Sequence, residues 1–114
     1  MSQKFSSVRL AELATDAAAF DKLEPVIHTK GRLTIVSVLA AAESLTFTEL
    51  RDVLGLTDGN LITHLRSLEA AGYVRLTKRG ASGKPVTIVA LSAAGRDAFR
   101  KYLAGLEHIV RRHK

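Results

Sequence analysis

Residues 56–74, LTDGNLITHLRSLEAAGYV, decide the reading of this 114-residue chain. Counted at about 3.6 residues per turn from Leu61, the side chains of Leu61, Leu65 and Leu68 fall on one side of a helix, with Ile62 at its margin. That side is expected to be buried. Thr57 stands where an N-cap would accept a free backbone N–H of the first turn, and Gly72 where a left-handed residue would end the helix. The face left outward holds Gly59, Asn60, Thr63, His64, Arg66 and Ser67, with no acid beyond Asp58 at the N-terminal margin. Short donors and acceptors beside one guanidinium match the hydrogen-bonding edges of bases.

Immediately before it, FTELRDVLGL (residues 47–56) reads as a short helix with Leu50, Val53 and Leu54 on one face, and Gly55 supplies a tight turn. Two helices meeting through a short glycine turn form a helix-turn-helix, whose second member enters the major groove of DNA; pairs of this spacing also occur in ordinary helical domains. The residues that follow favour the first reading. From Tyr73 to Lys78, apolar Val74 and Leu76 alternate with Arg75 and Thr77, RGASGKP (residues 79–85) is turn chemistry, and residues 86–91 form a second, β-branched strand. Residues 45–47 can supply a short third strand beside this hairpin. The fold expected is mainly α with a small β-hairpin, a winged helix-turn-helix.

The succession of LGLTDGNL (residues 54–61), HLRSLEAAGYV (residues 64–74), a basic glycine-containing wing and LSAAGRDAFRKYL (residues 91–103) resembles winged-helix transcriptional regulators of the MarR/ArsR type. The resemblance spans residues 23–106 and is densest over residues 54–74. It implies a homodimer bound to a pseudo-palindromic site on double-stranded DNA. It also implies a possible small-molecule effector, of a kind no residue here specifies, in a cleft between the dimer helices and the winged domain.

Composition agrees with one soluble domain spanning residues 1–114. Six aromatic residues leave the core to aliphatic side chains. Seventeen Lys and Arg against eleven Asp and Glu give a net charge of +6; three bases and four acids lie in residues 1–25, so the excess of bases falls beyond them. Arg75, Lys78, Arg79 and Lys84 occupy the wing without an acid among them, which suits a polyanion or, equally, a solvated basic surface. There is no cysteine, which excludes disulfides, thiolate metal sites and thiol redox sensing. The N-terminus lacks the apolar core of a signal peptide, and no stretch approaches the ~18 apolar residues of a membrane span, so a cytoplasmic protein with no membrane partner is expected.

Helical extensions flank the domain at residues 1–22 and 92–114. In the first, Leu10, Leu13, Ala14, Ala17 and Phe20 share a face; it packs on a second copy of the chain or folds back on its own domain. Pro25 interrupts the chain before Thr29, which is expected to cap a helix reaching about Ala42 with Leu33, Val36 and Leu39 inward and Ile35 and Val38 broadening the apolar side. Gly31 in its first turn allows close approach of another group, and Lys30 and Arg32 either hold a DNA phosphate or stand solvated. Ser92 is expected to cap the last helix, on which Phe99, Tyr102, Leu103, Leu106, Ile109 and Val110 recur at spacings of three and four. With Leu10, Leu13 and Ala17 they make the expected dimer interface.

The remaining motifs are negative. His108 and His113 are five apart and do not share a helix face, and with Asp97 and Glu107 they form no ligand spacing typical of a metal site. No catalytic constellation and no cofactor-binding motif is present, so neither an enzyme nor a cofactor is expected. Base contacts are assigned to Asn60, Thr63 and Ser67, with His64 and Arg66 at the edges, and backbone contacts to Lys30, Arg32, Thr57 and Gly59. The rival readings are a winged helix used as a protein adaptor and a non-specific, chromatin-like DNA binder.

Overall fold

A computed structural model describes residues 15, 18–20, 22–80 and 83–112. After helical backbone at residues 15 and 18–20 and turns to residue 29, the order is α1 (Lys30–Ala42), β1 (Ser44–Thr46), α2 (Phe47–Leu54), α3 (Asp58–Ala70), β2 (Val74–Arg79), β3 (Val86–Leu91) and α4 (Ala93–Arg112). The three strands form one antiparallel sheet in the order β1-β3-β2, with Leu45 opposite Val89 and Leu76 opposite Val89 on the other side. A helix-turn-helix followed by a hairpin, with a short third strand on the hairpin's returning arm, is the winged-helix fold. Leu10, Leu13, Ala14 and Ala17 of the expected first helix lie outside the described residues, as do loop-tip residues Ala81 and Ser82 and His113.

The third strand ends one residue earlier than its pattern suggested, because Thr46 does two jobs. It pairs with Ile88 in the sheet, and its hydroxyl accepts from Glu49 N at 3.0 Å while the Glu49 carboxylate accepts from Thr46 N at 2.9 Å. This capping box satisfies two free donors at once and starts α2 at Phe47. The T-x-x-E spacing was there to be read.

Both helices of the helix-turn-helix end in the same way. Gly55 and Gly72 take positive φ (65° and 82°), and the following residues bond back five positions, Leu56 N to Arg51 O and Tyr73 N to Leu68 O. These are Schellman closures, which need a left-handed residue and hence favour glycine.

One core cluster joins Ile35, Val36 and Leu39 of α1, Leu50 of α2, Leu61, Leu65 and Leu68 of α3, and Val89 of β3, all fully buried. A second lies between the chain before α1 and the far half of α4, where Leu23 and Ile27 pack with Tyr102 and Ile109. Two expectations change here. Leu33 joins the second cluster, leaving Ile35 to take the inward place beside Val36 and Leu39. Val53 is 64% exposed, because two-turn α2 packs through Phe47, Leu50 and Leu54, and Val53 stands about 100° from Leu54 around the axis.

Between the recognition arm and α4 the chain is clamped. Ser92 Oγ accepts from Gly95 N at 2.9 Å, capping α4 as expected, and donates to Gly72 O; Ser92 N donates to Tyr73 O at 2.9 Å. Any side chain at Gly95 would run into the Tyr73 carbonyl. The obstacle is backbone and cannot swing away, so Gly95→Ala is expected to lower stability by about 1–3 kcal/mol in urea or thermal unfolding.

Candidate nucleic-acid interface

The reading face is set from beneath. Leu61, Leu65 and Leu68 are completely buried, which sets the side of α3 that faces the core and turns Gly59, Asn60, Thr63 and Arg66 to solvent. Thr57 caps the helix as its position suggested, its hydroxyl accepting from Asn60 N at 3.1 Å. The hydroxyl proton stays available to a neighbouring acceptor. Thr63 Oγ1 donates to Gly59 O at 2.8 Å, leaving its lone pairs outward, and Ser67, half-buried, lies 3.4 Å from Thr63 O. Asn60 lends its backbone to the cap and holds an exposed carboxamide.

His64 is placed differently from the other residues of this set. It is half-buried, with its ring over Gly31 in the first turn of α1. Gly31 does permit the close approach inferred from the sequence, and the group that approaches is this imidazole.

The acid at the start of α3 is neutralised locally. Arg51 of α2 reaches Asp58 at 2.9 Å and Asp52 at 3.0 Å, and these partners, Asp58 first, hold its guanidinium above its ordinary pKa. Asp58 sits well at a helix N-terminus, and Arg51 screens it from an approaching polyanion.

At the first turn of α1, Lys30 is exposed. Arg32 is half-buried: its Nη2 donates to Thr29 Oγ1 at 2.7 Å and its Nε is enclosed with no partner among the described residues. Thr29 therefore holds the N-cap position without a side-chain cap bond, contrary to expectation, because its hydroxyl is turned to Arg32.

In the wing, Arg75, Lys78, Arg79 and Lys84 are all exposed, and among the described residues none of them forms an ion pair. Strand alternation separates them. Arg75 and Arg79 share a face of β2, and Lys78 stands on the other, beyond Val74 and Leu76 where the core runs out. Gly80 and Gly83 take positive φ (111° and 85°) on either side of the loop tip.

The residues expected at a dimer interface divide. Tyr102 and Ile109 are only 3% and 5% exposed, covered by Leu23 and Ile27 of their own chain, and the Tyr102 hydroxyl lies 2.8 Å from His28 Nδ1. Phe99 packs on the main core and Leu106 on the second, both half-buried. Leu103 and Val110 remain outward, at 46% and 51%. A cleft of about 900 Å³ between α4 and the preceding chain is lined by Leu23, Glu24, Tyr73, Asp97, Lys101 and His108, among others. Burial, then Glu24, pushes the Tyr73 phenol above its usual pKa. Among the described residues no group of three or more His, Cys, Asp or Glu could hold a metal, and no helix is long and apolar enough to cross a membrane.

The family model for the winged helix DNA-binding domain matches residues 32–110. The chain belongs to that family of winged helix DNA-binding domains. An uncharacterized protein of Methanocaldococcus jannaschii is 39% identical over 78 residues, 68% of this chain and 85% of its own. Among solved structures, a transcriptional regulator homologue from Pyrococcus horikoshii OT3 superposes with a TM-score of 0.78 at 28% identity, covering 85% of this chain and 95% of that one. A mutant MarR from E. coli complexed with operator DNA shares the fold at a TM-score of 0.62 and 18% identity, covering 92% and 78%. The architecture is that of MarR-type regulators.

Because the Thr57 hydroxyl is engaged by the backbone, Thr57→Ala should lower stability by about 1 kcal/mol in chemical unfolding, whatever its effect on binding.

Proposed function

We propose that this protein is a sequence-specific regulator of transcription that binds double-stranded DNA as a homodimer, with α3 in the major groove and the wing on the backbone or in the minor groove. One observation carries the reading: a polar, acid-poor helix face held rigidly outward beside a hairpin whose four cations are unpaired. Asn60 can address adenine through two hydrogen bonds and Arg66 guanine, each worth about 1–3 kcal/mol of discrimination, while Thr63 and Ser67 accept or donate at the same edges. Lys30, the Thr57 hydroxyl and the backbone at Gly59 suit phosphate, with Arg32 beside Lys30 adding charge from a partly enclosed position. Arg75, Lys78, Arg79 and Lys84 supply salt-dependent attraction.

The dimer is formed through α4 and the N-terminal extension. Leu103 and Val110 stand seven residues apart on one exposed side, with half-buried Leu106 between them, and a two-fold contact there would place two reading helices about one DNA turn apart, near 34 Å. An effector would occupy the cleft between Leu23, Tyr73 and α4, whose apolar walls and charged rim (Glu24, Asp97, Lys101) suit a small amphipathic molecule.

An adaptor would present an apolar reading helix. Among the described residues the large exposed apolar side chains are Phe20, Val53, Val86, Leu103 and Val110, none of them on α3. Selection of bound fragments from a genomic library, followed by titration at two salt concentrations, tests the reading; affinity without preference would instead mean a non-specific binder, and no complex an adaptor.

Removing one wing cation is expected to weaken binding alike on all sequences and to flatten the salt slope by about 0.9. Arg66→Ala should instead change which base is preferred. Leu103→Glu with Val110→Glu should give a monomer in sedimentation and, with one half-site gripped in place of two, lose most of the affinity for the selected DNA.

A further inference from the structure

His64 lies three residues after Leu61 and four before Leu68, both fully buried, yet off the line they make. Around the axis it stands about 100° from Leu65, on the flank of α3 that meets α1. There a Cβ on Gly31 would lie 2.5 Å from Nε2 of the ring, 2.9 Å from Cε1 and 3.0 Å from Cδ2. The Nε2 end of the imidazole thus fills the volume that any other residue type at position 31 would need. On either side of Gly31 stand Lys30, exposed, and Arg32, half-buried and tied to Thr29.

A helix held along a single seam can still roll about it. The leucine line fixes the axis of α3 against the core, and a contact on the flank of that line, about 40° beyond Leu68, restrains the remaining roll. We propose that His64 is a positioning residue and not a base reader: its ring, seated on Gly31, sets the distance between α3 and the first turn of α1. That distance fixes the offset between base-facing Asn60 and Thr63 and phosphate-facing Lys30, so that both sets meet one stretch of duplex together. The inference rests on the DNA-reading function proposed above and assigns this flank a role within it.

The test measures binding of His64→Ala, His64→Phe, Gly31→Ala and the double variant Gly31→Ala/His64→Ala to the selected DNA and to its single-base variants. Thermal unfolding of each reports the fold. His64→Ala and Gly31→Ala are each expected to weaken binding by roughly fivefold or more, a loss of about 1 kcal/mol, with the ranking of sequences unchanged. The double variant should be no weaker than the worse single, because both lose the same contact. His64→Phe, which keeps a flat ring and loses both nitrogens, should retain the wild-type ranking and most of the affinity. A change of preferred base in His64→Ala, a loss in His64→Phe as large as in His64→Ala, or singles that multiply in the double variant would each overturn the inference while leaving the DNA-binding reading intact. A wild-type chain that selects no DNA would remove both. Should Gly31→Ala unfold, the comparison of alanine with phenylalanine at position 64 still decides the matter.

Discussion

Burial of Leu61, Leu65 and Leu68 against Ile35, Val36, Leu39, Leu50 and Val89 is the contact on which the rest of the molecule depends. Each leucine withdrawn from water contributes about 1.5–3 kcal/mol, so the seam as a whole is comparable to the net stability of a small domain. Any rotation of α3 large enough to turn Asn60 inward would expose that seam. The apolar side therefore determines where the polar side points, and the helix does not need a single hydrogen bond from its outward face to the core. The two Schellman closures at Gly55 and Gly72 then set the lengths of α2 and α3, and the clamp of Ser92 onto Gly72 and Tyr73 ties the end of α3 to the start of α4.

Local chemistry and long-range chemistry were not equally readable. The leucine spacing, the Thr57 cap, the glycine stops and the strand alternation all lie within one element, and each was accessible from neighbouring residues in the chain. Partition of the apolar residues on α4 was not. Phe99, Tyr102, Leu103, Leu106, Ile109 and Val110 form one continuous periodic set in the sequence, but Leu23 and Ile27 cover Tyr102 and Ile109 while leaving Leu103 and Val110 open. Periodicity reports that a residue is wanted in an apolar place, without naming what fills it. The same limit applies at Val53, apolar and exposed, and at Gly31 and Gly95, whose close neighbours, the His64 ring and the Tyr73 backbone, are each more than twenty residues away. The capping box is a different case: T-x-x-E is local, and it places the boundary between β1 and α2 at Thr46.

Charge is arranged so that Asp58, at the N-terminal margin of the reading face, is matched at home and the bases in the wing are not. Arg51 takes up both Asp52 and Asp58, and on α4 Asp97 serves Arg100 and Lys101 while Glu107 serves Arg111. Exposed pairs of this kind add little to stability. Their effect is on the field: among the described residues the four wing cations stay uncompensated, and the hairpin that carries them is anchored through Val74, Val89 and Leu91 in the core.

Thr63 and Ser67 direct their hydroxyls to carbonyls of their own helix, and Asn60 and Arg66 project into water. None of the four is needed to hold the domain together. Mutational drift at these positions would meet almost no resistance from folding, whereas the leucines beneath them are pinned. A lineage built on this frame can thus acquire new targets by exchanging a handful of surface residues, and the evolutionary record of such proteins should show an invariant interior under a rapidly changing exterior.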